Sequence, residues 1–113
     1  MDYPERDILF GGKGNDTLIG GEGIDRLFGK DGADTFVLEP VTTNQNRVIV
    51  RDFVDGSDQL GLMGGLSFDD LVIVSNGASN ATLIRDANLN KTLAVLSGID
   101  VAVIGSDDFT EVP

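Results

Sequence analysis

Two hydrophobic rhythms divide the chain. Over residues 2–37 one apolar position recurs every nine residues, at Leu9, Leu18, Leu27 and Phe36, inside three-residue patches such as TLI. A patch that short predicts a very short strand and nothing longer. Beyond Glu39 the pattern changes to β-branched and aliphatic runs, RVIV, QLGL, LVIVS, ATLIR, KTLAVL and VAVIG, with turn signals at DGSD, SNGASN and DANLN between them. SNG at 75–77 predicts a tight hairpin after LVIV. Ser67 before FDDL predicts a single helical turn in which Asp70 satisfies the reciprocal amide. The stretch LEPVTTNQN at 38–46 has no apolar period and carries Pro40, so it reads as a connection. The expected organisation is a repeat over 2–37, a connection over 38–46 and a β-rich region over 47–113. That last region packs on the repeat and covers an end that would otherwise expose apolar side chains and unpaired strand edges.

Laid on itself, the first region reads GGKGNDTLI at 11–19, GGEGIDRLF at 20–28 and GKDGADTFV at 29–37, preceded by the degenerate DYPERDILF at 2–10. Position six is Asp in every copy (Asp7, Asp16, Asp25, Asp34) and position eight is apolar. Such a period predicts a solenoid in which each nonapeptide is half a coil, so that residues 18 apart lie above one another on the same side. Position eight then points inward and its neighbours outward, by the two-residue period of a strand. Glycines at positions one, two and four allow the turns positive φ angles or close carbonyl approach.

Composition narrows the chemistry such a solenoid carries. The 113 residues hold 19 Asp and Glu against 8 Lys and Arg, a formal charge of -11, with no Cys, His or Trp. That mean field disfavours nucleic acid and anionic lipid, because both would be repelled. Thiolate zinc sites, disulfides, imidazole bases and histidine-dependent triads are absent. Binding of a hard cation through oxygen survives the filter. No apolar run approaches the roughly 20 residues that span a bilayer. The start MDYPERDILF has acids where a cleavable export signal would have a basic segment and then an apolar one.

The 18-residue register stacks Asp7 over Asp25 and Asp16 over Asp34, at a strand separation of about 4.8 Å. Bare carboxylates that close repel, and a divalent cation between them turns the arrangement into ligation. Calcium accepts about six to eight oxygens, so most of its shell must come from the turns; magnesium keeps its waters and fits less well. The expected contributors, mainly through backbone oxygens, are Gly11 and Lys13 in the first turn, Gly20, Glu22 and Gly23 in the second, and Gly29, Asp31 and Gly32 in the third. Two sites are expected, with Asp7/Asp25 the weaker because DYPER lacks glycine and Pro4 restricts its turn.

On these nonapeptides the chain resembles the RTX, or hemolysin-type, calcium-binding family. RDFVDGSDQLGL at 51–62 is similar to that family's post-repeat motif. LMGGLSFDDLVI, TLIRD, LAVLSGI and the closing DDFT resemble the C-terminal region of some bacterial, particularly cyanobacterial, members. The resemblance implies an all-β fold, a short parallel β-roll capped by a C-terminal β-rich segment. It also implies a secreted or surface bacterial protein that folds on extracellular calcium, leaves by type I secretion machinery and is attached to a larger parent. Asp16, Asp25 and Asp34 match the family's ligand aspartates and Asp7 matches in part, while Asp52 and Asp58 match acids that complete or cap the last calcium site. Val48 stands where an Asp is expected.

Other classes have less behind them. An adhesion or polysaccharide-binding module would show an aromatic ladder, yet Tyr3 is the only Tyr. A surface-binding threonine array fails because Arg26 stands opposite Thr17 and Thr35. DANLNK begins like a helix-loop-helix calcium loop but has Lys91 and Ser97 where Gly and Glu belong, so it reads as a hairpin turn. Neighbouring Asp69/Asp70 and Asp107/Asp108 do not face one another as acid and base. No constellation points to an enzyme.

Overall fold

A computed structural model describes residues 8–19, 24–38, 47–54, 56–75, 80–87 and 91–112. The first strands are as short as the apolar patches predict: β1 Ile8–Phe10, β2 Thr17–Ile19, β3 Ile24–Phe28 and β4 Thr35–Leu38. They are followed by β5 Arg47–Val50, β6 Gln59–Leu62, β7 Leu71–Ser75, β8 Ala81–Asp86, β9 Lys91–Ser97 and β10 Phe109–Glu111.

From β1 to β7 successive strands alternate between two sheets. A six-stranded sheet has the order β1-β3-β5-β9-β8-β7, and a four-stranded sheet the order β10-β6-β4-β2. Within the repeat every pairing is parallel with an 18-residue offset, Ile8 opposite Arg26 and Thr17 opposite Thr35. Beyond it the offset grows to 23 residues for Ile24 and Arg47 and to 24 for Thr35 and Gln59. The longer connections of the second region absorb the difference.

A purely parallel solenoid with a separate cap is too simple a description. The overall fold is all-β, but β7, β8 and β9 form an antiparallel meander. Its two reversals turn the chain so that β9 runs parallel to β5, and β10 then runs parallel to β6. The C-terminal region therefore extends both sheets and covers what would be open edges on β5 and β6. The β7–β8 hairpin pairs Ser75 with Thr82, while Asn76 and Gly77 of its expected turn lie outside the described residues. The capped turn is present over Phe68–Asp70, where the Ser67 amide donates to Asp70 Oδ2 at 3.1 Å.

One apolar cluster lies between the sheets. Leu18, Leu27 and Phe36, the position-eight residues, meet Val50, Leu60 and Leu96 from the second region. Their neighbours Thr17, Ile19 and Arg26 are exposed, as the strand period requires. Val37 departs from the alternation and is buried on the outer side. The cause is Gly61 on the next strand, where an added Cβ would lie 2.7 Å from Val112 Cγ2 and 3.0 Å from Thr35 Cγ2. Its missing side chain lets the C-terminal Val112 lie over that face. The rings of Phe36 and Phe53, with centroids 6.3 Å apart, join the repeat to the coil after it.

Candidate metal centre

The turns before β2 and β4 assemble the best-formed site. Gly12 and Gly14 in the first, and Gly32 in the second, have φ of 86°, 92° and 96°, so positions two and four are the left-handed ones. Position one needs glycine for a different reason. A Cβ on Gly11 would lie 2.7 Å from Asp16 Oδ2 and 2.8 Å from the Gly29 carbonyl oxygen, and one on Gly29 would collide with Asp34 Oδ2. Each position-six carboxylate is thus folded back against the first glycine of its own turn.

Asp16 and Asp34 sit on adjacent rungs. The Asp16 amide donates to Asp34 Oδ1 at 2.8 Å, while Oδ2 of both carboxylates is buried without a hydrogen-bond partner. An ionised oxygen hidden in that way is costly unless a cation or proton meets it. Burial pushes the Asp34 carboxyl above the usual range; the Asp16 amide opposes this, and the carboxylates of Asp58, Asp16 and Asp52 add to it. Among the described residues no three acidic side chains gather to hold a metal by themselves. Turn carbonyls must therefore complete any shell, and Gly29 O already shares the space beside Asp16 Oδ2. This donor set, all oxygen and partly anionic, fits a hard cation with a flexible shell. Asp16 and Asp34 would hold it, and its charge would offset the repulsion between them.

The other expected residues divide into groups. Lys13 and Asp31 are exposed, which leaves their backbone oxygens as the available donors. Asp25 is wholly buried in β3, and the strand beyond it places Val48 opposite, so no third acid follows on that side. Asp7, Gly20, Glu22 and Gly23 lie outside the described residues, and with them the geometry of the Asp7/Asp25 pair. Asp52 accepts the amides of Gly29 at 2.8 Å and Lys30 at 2.9 Å. Asp58 forms the next rung above Asp34, taking the Asp34 amide at 2.8 Å on Oδ1 and the Val54 amide at 2.9 Å on Oδ2. Both carboxylates fasten the following coil through backbone amides, so their ligation of calcium rests on the resemblance alone.

Two contributors were not singled out from sequence. Asn15 at position five accepts the Ala33 amide at 2.8 Å on Oδ1, tying adjacent coils. Its signal was only a polar residue where the other copies have Ile24 and Ala33. Lys30 takes the left-handed conformation, φ 65°, at the position where the first copy has Gly12.

A β-rich fold built on short alternating strands, with paired aspartates facing oxygen-lined turns, defines a metal-binding repeat module. Residues 4–36 match the family model for the RTX calcium-binding nonapeptide repeat, in four copies. The chain therefore contains an RTX-type repeat region whose cofactor is calcium, a metal-binding repeat and not a catalytic domain. The match ends before residue 51, so the bacterial-group resemblance of the C-terminal region has no counterpart in it. No curated protein matches the chain. Among solved structures, the AlgE6R3 subunit of the Azotobacter vinelandii mannuronan C5-epimerase is similar, with TM-score 0.66 and 23% identity over 93% of this chain and 67% of that one. At that identity the likeness concerns the fold. Among the described residues no helix is long and apolar enough to cross a membrane.

Proposed function

We propose that the chain is a non-catalytic module of a secreted or surface bacterial protein, ordered by extracellular calcium and serving to attach its parent to a surface or polysaccharide. The observation that carries the calcium reading is the pair of buried Oδ2 atoms of Asp16 and Asp34 on adjacent rungs inside a matched calcium-binding repeat. In this reading residues 2–37 form a short parallel β-roll, 38–46 connect, and 47–113 cap the roll while continuing its sheets. The ligands are Asp16 and Asp34 with carbonyls of the turns at 11–14 and 29–32, and Asp7 with Asp25 and the 20–23 turn form a weaker second site. The metal-free repeat is held open by its carboxylates, and binding free energy becomes folding free energy. Extracellular modules of this kind bind calcium at about 0.1–1 mM, which separates a low-calcium interior from the outside.

The similar fold belongs to a subunit of an enzyme named for its action on mannuronan, a polysaccharide, and this favours attachment over a part in export. Passage through type I machinery keeps only the support of the motif resemblance. Circular dichroism with calcium, then with EDTA, tests the core of the reading. A β signal that rises with calcium and falls with EDTA is expected, and an unchanged signal would remove the coupling between metal and fold.

A further inference from the structure

We infer that Asp52 is a positioning residue for the calcium site: through one peptide plane it aims the Gly29 carbonyl oxygen at the side of the site formed by Asp16. It thereby sets calcium affinity without ligating the metal, in place of the ligand role that the motif resemblance gives it. This rests on the calcium reading above and adds a residue that acts through another.

Asp52 lies just past β5, one coil beyond the 29–32 turn. Both of its oxygens reach back into that turn, Oδ1 to the Gly29 amide at 2.8 Å and Oδ2 to the Lys30 amide at 2.9 Å. Two successive amides closing on one carboxylate make a small anion-holding concavity, and the bonds are strengthened by the charge.

Each of these amides belongs to a planar trans unit whose carbonyl points the opposite way, and among the described residues no peptide is cis. In the first unit the Phe28 carbonyl accepts the Gly11 amide at 2.8 Å, so the unit is held between the coil before it and the coil after it. In the second unit the Lys30 amide is on Asp52, and the far end is the Gly29 carbonyl oxygen. That oxygen and Asp16 Oδ2 both crowd the place where a side chain on Gly11 would begin, at 2.8 Å and 2.7 Å from its Cβ position. Asp16 Oδ2 is buried without a hydrogen-bond partner. Fixing the amide end on Asp52 therefore fixes the carbonyl end beside the one oxygen that most needs a cation. The anion on the amide side also polarises the peptide towards its oxygen, which improves it as a donor to a hard cation.

Asp58 makes a useful contrast. It takes the Asp34 amide on Oδ1 but the Val54 amide of its own coil on Oδ2, so part of its work is independent of the repeat. Both bonds of Asp52 go to the repeat, and they are lost together when the repeat opens. An asparagine there keeps at most one of them, because its side-chain nitrogen is a donor facing a donor.

Titration calorimetry with calcium on the full chain tests this, with urea unfolding in EDTA beside it. Asp52→Ala should lose about tenfold or more in affinity and Asp52→Asn less, with the number of ions bound unchanged. Exposed Asp69 carries the same charge away from the site, so Asp69→Asn should bind calcium as the parent chain does. Unfolding in EDTA should be the same for all four proteins. In the calcium-loaded parent chain, the amide nitrogens of Gly29 and Lys30 should show nuclear couplings across hydrogen bonds to the Asp52 carboxyl carbon. Absence of those couplings would overturn the inference, as would an affinity loss in Asp52→Ala no larger than in Asp69→Asn. A fall in the number of ions bound would make Asp52 a ligand, and an equal loss of stability in EDTA would make it a structural residue; either result overturns the inference and leaves the calcium reading standing. No calcium binding by the parent chain would overturn both.

Discussion

The repeat, residues 8–38, and the later region, residues 47–112, build the same two sheets from different materials. The repeat buries Leu18, Leu27, Phe36, Val37 and Leu38 together with the carboxylates of Asp25 and Asp34. The later region buries Val48, Val50, Phe53, Leu60, Leu62, Leu66, Ile84, Leu93 and Leu96, among others, and its buried acids Asp58, Asp86 and Asp108 all have partners, whereas Oδ2 of Asp16 and Asp34 has none. Each fully buried apolar side chain of this size contributes about 1.5–3 kcal/mol against the entropy of ordering the chain. The later strands have the means to hold together through burial. The repeat puts ionised oxygens where burial alone penalises them, and its order therefore depends on what meets those oxygens.

The largest expected effect breaks the comparison at the seam. Phe36 is fully buried and touches Phe53 of the next coil, so Phe36→Ala should cost about 3–5 kcal/mol in chemical denaturation of the calcium-loaded protein and much less once calcium is removed and the repeat opens. An equal loss in the calcium-free protein would mean that the seam forms without the metal. Next, Asp16→Ala or Asp34→Ala should weaken calcium binding by about tenfold or more by titration calorimetry, since each removes a charged ligand. Asp7→Ala should do less, because its turn lacks glycine. Equal losses in the three variants would show that the DYPER turn ligates as well as a glycine-rich one.

Two smaller effects sharpen the contrast. Lys30→Gly relieves a left-handed non-glycine residue but removes a cation over two rings, so a net gain of about 0.5–1 kcal/mol is expected in thermal denaturation with calcium. The pH dependence has a definite sign. Asp34 titrates higher in the metal-free fold than in the unfolded chain, so the folded state holds its proton longer. Calcium-free stability should be greatest below the unfolded value and fall as pH rises through the folded one. With calcium present the trend should reverse, because protons and the metal compete for the same oxygens.

Much of this was legible in the residues. The nine-residue spacing of aspartates and apolar positions carries the alternation between sheets, the Asp16–Asp34 register and the inward set Leu18, Leu27 and Phe36. The family resemblance, and not the spacing, marks Val48 as standing where an Asp is expected, and the fold sets it opposite Asp25. What stayed hidden depends on contacts distant in sequence. Runs such as LVIVS and KTLAVL specify strands but not partners, so nothing in them tells that β9 returns parallel to β5. Asp52 and Asp58 are acids near a turn in the sequence, and only the fold brings them to the amides of Gly29, Lys30 and Asp34.

The central claim is that calcium orders the repeat while the later strands hold themselves. Amide hydrogen exchange on the full chain, with calcium and after its removal, tests this most directly. The account predicts that without calcium residues 16–36 exchange freely while protection survives over 71–74 and 93–96, within β7 and β9. Simultaneous loss of protection in both regions would make the molecule a single calcium-dependent folding unit, and protection of 16–36 in the absence of calcium would contradict the metal-coupled repeat altogether.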